Sequence, residues 1–356
     1  MKVLPVLAPS LHRSPLLSLP LSLLLSLCLS PLAPAAASAP DRAALARAAP
    51  TVWKIEAARA QGGYSLGSGV ALAPDEVLTN CHVTRDAQSV HVLRGGQRWR
   101  AQAQAVDADH DLCLLQVPGL DATAPALGRS STLLPGQPVS AFGYTGGLAL
   151  QHSAGTVVAL HRLDGGRVIQ SSNAFTSGAS GGGLFDSEMR LVGILTFRLR
   201  GGAAHYFSAP VEWALTLREG RAGFAAVQPL APGPLAYWQR PAEDQPRFLR
   251  AGVLERERRW DELEGLAFNW TRVDPDDPQP WYLHGLALGG LERWPESQRA
   301  LEHAVKLEPT AHRAWFRLGH VHAAQGQLER AREVRARLEG LDAGLAGELG
   351  RTIDRR

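Results

Sequence analysis

A repeat of 34 residues constrains the fold of this chain more than any other feature of its sequence. Trp281 recurs as Trp315 and Gly285 recurs as Gly319, each 34 positions later, in a region where charged and apolar residues recur at helical spacing. A period of this length is typical of stacked helix pairs, in which each pair buries one face on the next and about three units are needed for stability. The repeat therefore predicts an all-α region over residues 247–345.

The last copy of the repeat contains the run Trp315-Phe316-Arg317-Leu318-Gly319-His320-Val321-His322. This run resembles the signature of the tetratricopeptide repeat (TPR) family, in which tryptophan, leucine, glycine and tyrosine stand at similar spacing. The first copy, over residues 247–274, is degenerate, because Arg247 and Ala251 stand where the tryptophan and the glycine are expected. The resemblance implies a TPR helical-repeat domain with a concave groove that recruits a protein partner or substrate.

Residues 51–217 follow a different pattern, in which short runs of Val, Ile and Leu alternate with glycine-rich turns. Residues 68–72 and 191–197 are two such runs, and many short strands separated in this way predict an all-β sandwich or barrel. Residues 226–246 then hold five prolines, which favours an extended and partly stiff linker. We expect this linker to separate the β region from the helices. The alternative is that the helices pack on the β region and stabilise it.

Three segments of the β region carry His82, Asp111 and Ser180, in that order and each beside a predicted strand. A serine hydroxyl needs an adjacent base, an imidazole can take its proton and return it to a leaving amine, and a buried carboxylate fixes the imidazole tautomer. Glycines around the serine allow the N–H groups of Gly178 and Ser180 to converge on an oxyanion. Each segment alone has a structural explanation, but their combination predicts a catalytic triad.

These segments resemble the trypsin-like serine peptidases, and within them the Deg/HtrA-like branch. The resemblance is carried by residues 79–83 (TNCHV), 111–115 (DLCLL) and 170–184, which ends in SGASGGGL. It implies an all-β double-barrel protease domain over residues 43–225 and an endopeptidase that hydrolyses peptide bonds in polypeptide substrates.

The sequence also departs from this branch in ways that bear on function. Ala179 replaces the usual Asn or Asp before the serine, Gly183 replaces a proline, and the repeats occupy the place of a PDZ domain. The alternative function is therefore a catalytically silent protease-fold scaffold or adaptor that acts through its repeats. The intact triad and the flanking glycines favour the enzyme.

The resemblance also implies where the substrate pocket lies. The base of the pocket is expected six residues before the serine, at Ala174, with Thr196, Phe197 and Arg198 along its entrance. Alanine offers no carboxylate, so a lysine or arginine buried there would lack a partner. We therefore expect cleavage after small or medium apolar residues.

The N-terminus has the pattern of an export signal. A basic start precedes an apolar run from Leu16 to Leu29, and small residues follow up to Ala39. The run is shorter than the roughly 20 residues that span a bilayer. We therefore expect a signal peptide over residues 1–39, cut after Ala37 or Ala39, with export to the bacterial periplasm or beyond. No stable membrane span is expected after cleavage.

Several other kinds of chemistry find no support in the sequence. The formal charge is only +3 and no basic block with interleaved aromatics occurs, so we expect no nucleic-acid partner. The histidines form no metal-binding motif, so we expect neither a metal nor a cofactor. Cys81 and Cys113 flank two triad residues. We favour two buried small apolar side chains at these positions, with a disulfide as the alternative.

Overall fold

The computed structural model describes residues 41–199, 206–220 and 223–356. The predicted signal peptide, residues 1–39, lies outside the described residues. Among the residues that are described, no helix has the length and apolar character needed to cross a bilayer.

The strands of the described chain form two antiparallel units. They are β1 (Val52–Arg59), β2 (Tyr64–Ala73), β3 (Glu76–Asn80), β4 (Ala87–Arg94), β5 (Gln97–Arg100), β6 (Ala103–Asp107), β7 (Leu112–Gln116), β8 (Pro138–Thr145), β9 (Ala149–Leu163), β10 (Gly166–Ser171), β11 (Gly183–Phe185), β12 (Leu191–Arg198), β13 (Tyr206–Pro210) and β14 (Ala225–Ala226). The N-terminal sheet has the order β14-β6-β7-β3-β2-β1-β4-β5, and the C-terminal barrel closes in the order β10-β13-β12-β11-β8-β9.

The predicted all-β region is confirmed, with one difference from the expected pair of barrels. The C-terminal unit is a closed barrel, whereas within the described residues the N-terminal sheet has two end strands, β14 and β5. These strands have only two and four residues. Side chains that alternate along the strands fill both units, with Ile55 completely buried in the N-terminal sheet and Ile169 in the barrel.

The C-terminal region is helical, as predicted. The helices of the described chain are α1 (Arg42–Ala48), α2 (Cys81–Thr84), α3 (Val211–Glu219), α4 (Arg247–Arg256), α5 (Trp260–Val273), α6 (Pro278–Gly290), α7 (Trp294–Leu307), α8 (His312–Ala324), α9 (Leu328–Glu339) and α10 (Ala343–Ile353). The repeated glycines allow neighbouring helices to approach closely. A Cβ on Gly285 would lie 2.6 Å from the side chain of Leu301, and one on Gly319 would meet Leu349 and Val334.

The stretch 226–246 does not hold the two regions apart, which contradicts the expected separating linker. Ala236 and Tyr237 are buried, and the N–H of Tyr237 donates to the Asp109 carbonyl at 2.9 Å. One continuous apolar cluster includes residues of the barrel, of this stretch and of the helices. The aromatic side chains of the stretch explain the difference, because they gain more from burial than an exposed linker would allow.

The helices also contact the barrel directly. Phe248 of α4 stacks on His161 of β9, with ring centroids 4.4 Å apart. Arg162 of β9 donates to the Asp276 carbonyl at 3.2 Å, before α6 begins. Tyr282 of α6 lines a cavity together with residues of β9. The alternative in which the helices pack on the β region therefore describes the structure better.

Candidate active site

The pairing of β3 with β7 determines where His82 and Asp111 lie. These strands are antiparallel with Asn80 opposite Leu112, so the residues beyond this pair are neighbours. His82 lies in α2, directly after β3, and Asp111 immediately precedes β7. The Nδ1 atom of His82 lies 2.6 Å from Oδ2 of Asp111, and the N–H of His82 donates to Oδ1 at 2.8 Å. The structure therefore brings together two of the three predicted triad residues.

The carboxylate of Asp111 is fully buried, and its backbone is held in place. Its φ of +59° is in the left-handed region, which aspartate tolerates better than most residues. Its carbonyl accepts hydrogen bonds from Asn80 Nδ2 at 2.9 Å and from the N–H of Cys81 at 3.1 Å. Because both carboxylate oxygens also accept from His82, the buried charge is satisfied by hydrogen bonds and fixes the imidazole.

A disulfide joins the two segments that carry these residues. Cys81 is bonded to Cys113. Both side chains are fully buried, as we expected, but the favoured expectation of unlinked cysteines was wrong. The register of β3 and β7 is the reason, because it places Thr79 opposite Cys113 and brings the two cysteine Cα atoms to 4.9 Å.

Ser180 lies in the loop between β10 and β11 and is tied to both β units. Its carbonyl accepts a hydrogen bond from the N–H of Ser68 in β2 at 2.8 Å. Its hydroxyl donates to the carbonyl of Thr196 in β12 at 3.5 Å, a length at which the bond is weak. Asn80 Nδ2 also lies 3.4 Å from Oγ1 of Thr196. A short chain of hydrogen bonds therefore links the serine to the segment that bears Asp111.

The loop before Ser180 presents two backbone N–H groups. Gly178 has a φ of +94°, and a Cβ at this position would collide with the carbonyl of Tyr144. Ser68 Oγ donates to the Gly178 carbonyl at 2.8 Å and accepts from the N–H of Tyr144 at 2.8 Å, which fixes the peptide. Within the described residues, the N–H groups of Gly178 and Ser180 donate to no protein acceptor. They are therefore available to an oxyanion.

The predicted pocket residues differ in exposure. Ala174 and Arg198 are exposed, whereas Thr196 and Phe197 are buried. Phe197 lies between two aromatic rings, those of Phe207 at 4.8 Å and Trp238 at 4.9 Å, and is nearly parallel to both. Exposure leaves Ala174 accessible to a substrate side chain.

Two aromatic residues that the sequence motifs did not point to, Tyr237 and Trp238, lie beside His82 and Asp111. Trp238 contacts the His82 ring edge-to-face at 5.8 Å. The hydroxyl of Tyr237 is buried, and its pKa is raised well above the usual value, first by burial and then by the charge of Asp111. Two adjacent aromatics in a proline-rich stretch were the available signal, because a solvated linker rarely carries them.

His110, next to Asp111, connects the two β units. Its Nδ1 lies 2.6 Å from Asp107, its Nε2 lies 3.2 Å from Asp164, and its ring stacks on Trp213 at 4.0 Å. Burial lowers the pKa of His110, but the two carboxylates outweigh burial and leave the pKa above its usual value. Within the described residues, Asp109, His110 and Asp164 lie close enough together to hold a metal ion. Both His110 nitrogens already have carboxylate partners, and Asp109 pairs with Arg240.

Residues 67–194 match the family model of the trypsin-like peptidase domain. Over 183 residues the chain is 34% identical to a probable periplasmic serine endoprotease, DegP-like, of Ectopseudomonas mendocina, covering 49% of the chain and 38% of that protein. It is 32% identical over 181 residues to the periplasmic pH-dependent serine endoprotease DegQ of Escherichia coli, covering 48% and 40%.

The solved structure of the serine endoprotease from Yersinia pestis is 26% identical in sequence to this chain, with a TM-score of 0.46. The match covers 51% of this chain and 67% of the Yersinia chain. The chain spans about two fifths of the length of the two curated relatives.

Proposed function

We propose that this protein is an exported serine endopeptidase in which His82, Asp111 and Ser180 form the catalytic triad. The observation that carries the proposal is the 2.6 Å contact between His82 and a fully buried Asp111, beside a serine loop with two unpaired N–H groups. The match to the trypsin-like peptidase domain supports it, and so do the relatives described as periplasmic endoproteases.

The arrangement suits acyl transfer. The Ser180 hydroxyl attacks the scissile carbonyl while His82 takes its proton, and His82 then returns the proton to the leaving amine. Asp111 holds the imidazole through Nδ1 and stabilises the imidazolium that forms. The N–H groups of Gly178 and Ser180 stabilise the oxyanion of the tetrahedral intermediate, and loss of one such donor costs roughly 3–4 kcal/mol. To react, Ser180 exchanges its weak bond to Thr196 for one to His82.

The proposed pocket sets the residue on the amino side of the cut. Ala174 provides its base, and Thr196, Phe197 and Arg198 border its entrance. No carboxylate among these four residues pairs with a cationic side chain, so the enzyme prefers small or medium apolar residues over Lys or Arg.

We also propose that residues 247–345 are tetratricopeptide repeats. The spacing of Gly285 and Gly319 and the close helix contacts at both glycines support this assignment. Recruitment of a protein partner through the groove remains a prediction, and the barrel covers part of the helical surface at Phe248 and Tyr282. The catalytically silent scaffold remains the alternative function.

Labelling with a fluorophosphonate probe separates the enzyme from the scaffold. Wild type should be labelled at Ser180 and should cleave apolar peptide substrates. Ser180→Ala and His82→Ala should lose several orders of magnitude in kcat, and Asp111→Asn about 10⁴-fold, while keeping the wild-type melting temperature within a few degrees. Ser177→Ala, an exposed serine in the same loop, is the matched control and should behave as wild type. Full activity in Ser180→Ala, or an unlabelled wild type, would refute the proposal.

A further inference from the structure

An aromatic side chain from outside the two β units borders the cleft at the triad. Trp238 stacks on Phe197 with centroids 4.9 Å apart and an interplanar angle of 7°. It also meets the His82 ring edge-to-face at 5.8 Å. Trp238 therefore contacts both His82, the proposed general base, and Phe197 of strand β12.

The surrounding turn fixes the position of Trp238. The preceding residue, Tyr237, is buried and bonded to the Asp109 carbonyl, and Arg240 pairs with the Asp109 carboxylate. Gln245 Nε2 donates to the carbonyls of Trp238 at 3.3 Å and of Arg240 at 2.8 Å. The indole is thus a rigid part of the cleft wall.

Strand β12 offers a free edge beside Ser180. Leu195 exchanges hydrogen bonds with Gly181 and Gly182, and within the described residues no strand pairs with this side of β12 beyond Leu195. The pairing of β12 with β13 is irregular between Leu195 and Phe197, so the carbonyl of Thr196, which lies 3.5 Å from Ser180 Oγ, faces the same edge as Leu195. Beyond this irregularity the backbone groups alternate along the strand, so those of Arg198 face this edge as well. An extended peptide can therefore add to this edge as a further antiparallel strand.

The register of such a peptide determines which side chain meets Trp238. If the scissile carbonyl lies at Ser180, the residue before the cut pairs near Thr196 and the second residue before the cut lies opposite Phe197. That pair is the close, non-hydrogen-bonded type, with Cα atoms about 4.5 Å apart and both side chains on one face of the sheet. Trp238 already occupies that face through its stack on Phe197 and its contact with His82.

We infer that Trp238 is a specificity-determining residue, which restricts the second residue on the amino side of the cut to small side chains such as Gly or Ala. This inference rests on the proposed peptidase function. It adds a second position at which the enzyme selects the substrate side chain, independent of the position that the Ala174 pocket selects. A larger side chain would have to displace an indole held between two aromatic contacts and an anchored turn.

A peptide series tests this assignment in the full-length protein. The residue before the cut is kept constant, and the second residue is Gly, Ala, Leu or Phe. Wild type should prefer Ala to Phe at this position by about tenfold or more in kcat/KM, a ratio typical of a pocket that selects side chains by size. Trp238→Ala should bring this ratio close to one, whereas Trp238→Phe should keep part of the preference.

Trp99→Ala is the matched control, because Trp99 is also half-buried and packs on Trp53 in the N-terminal sheet. The Trp99→Ala variant should keep the wild-type ratio.

The ratio of two substrates on one enzyme preparation does not depend on the fraction that is folded, and fluorophosphonate labelling counts the active sites. A wild type that is labelled and cleaves all four peptides equally would overturn the assignment and leave the peptidase proposal intact. A Trp238→Ala variant that is labelled but keeps the wild-type ratio of Ala to Phe cleavage would overturn it in the same way. A wild type that is inert while Trp238→Ala is labelled would show that Trp238 blocks the cleft instead. If neither is labelled, the peptidase proposal fails and the assignment fails with it.

Discussion

Gly178 shows how strongly one backbone position can determine the proposed chemistry. Its φ of +94° is a backbone conformation that residues with a Cβ rarely adopt, and its carbonyl is fixed by a hydrogen bond from Ser68 Oγ. A Cβ here would meet the Tyr144 carbonyl as well as the backbone nitrogens of Gly146 and Gly147, at 3.0 and 2.9 Å. Any other residue would have to move the peptide, and with it one of the two proposed oxyanion donors.

Gly178→Ala should therefore lower kcat by about 100-fold or more, the loss typical of a missing oxyanion donor. KM should change much less, because the donor acts mainly on the transition state. Gly146→Ala is the control, since Gly146 also has a positive φ, of +64°, but a Cβ there meets nothing within 4 Å. Steady-state kinetics with active-site titration measure both variants. Equal activity of Gly178→Ala and wild type would show that this N–H is not an oxyanion donor.

Among the larger elements, the junction of β3, α2 and β7 holds two of the proposed triad residues in one unit. The disulfide between Cys81 and Cys113 closes a loop with a sequence separation of 32. His82 follows the first cysteine directly, and Asp111 lies two residues before the second. The bridge therefore restrains both ends of the His82–Asp111 contact.

The double variant Cys81→Ala/Cys113→Ala should lower the free energy of unfolding by about 3–4 kcal/mol, as expected for a loop of this length. Unfolding in guanidinium chloride, with the kinetics measured on the folded fraction, is the test. Wild type treated with a reductant after partial unfolding should match the variant. An unchanged midpoint in the double variant would show that the bridge contributes little to stability.

The sequence predicts a triad from local signals, whereas the features that it did not reveal depend on distant contacts. His82, Asp111 and Ser180 each lie in a short motif beside a strand. The disulfide depends on the register that puts Thr79 opposite Cys113, which the motifs do not specify. Trp238 was missed for the same reason, since prolines around it suggested a linker and only the folded chain shows that Phe197 and His82 are its neighbours.

At the scale of the whole molecule, barrel and helices share an interface that contains a buried histidine. His161 of β9 stacks on Phe248 of α4 at 4.4 Å, and its Nε2 lies 3.0 Å from Gln170 Oε1. Burial lowers the pKa of His161 to about 4, with the charge of Arg313 in α8 acting in the same direction and the Gln170 hydrogen bond opposing it. The ring is therefore neutral at pH 7, which suits a stacked position between two packed units.

This pKa predicts that acid weakens the molecule at the interface of barrel and helices. In the unfolded chain the histidine titrates near 6.5, so between about pH 6.5 and 4 the unfolded state binds more protons than the folded state. The stability from a neutral His161 is thus complete above pH 6.5 and is lost as the pH falls toward 4. At pH 5 the loss should be roughly 2 kcal/mol relative to pH 7.

His161→Gln, which cannot titrate, should lose correspondingly less stability between these two pH values when both proteins are unfolded in urea. His303→Gln, which removes a half-buried histidine packed on Trp281 in the helices, is the control for loss of an imidazole away from this interface. Identical pH dependence in wild type and His161→Gln would mean that His161 does not couple protonation to the docking of the helices on the barrel.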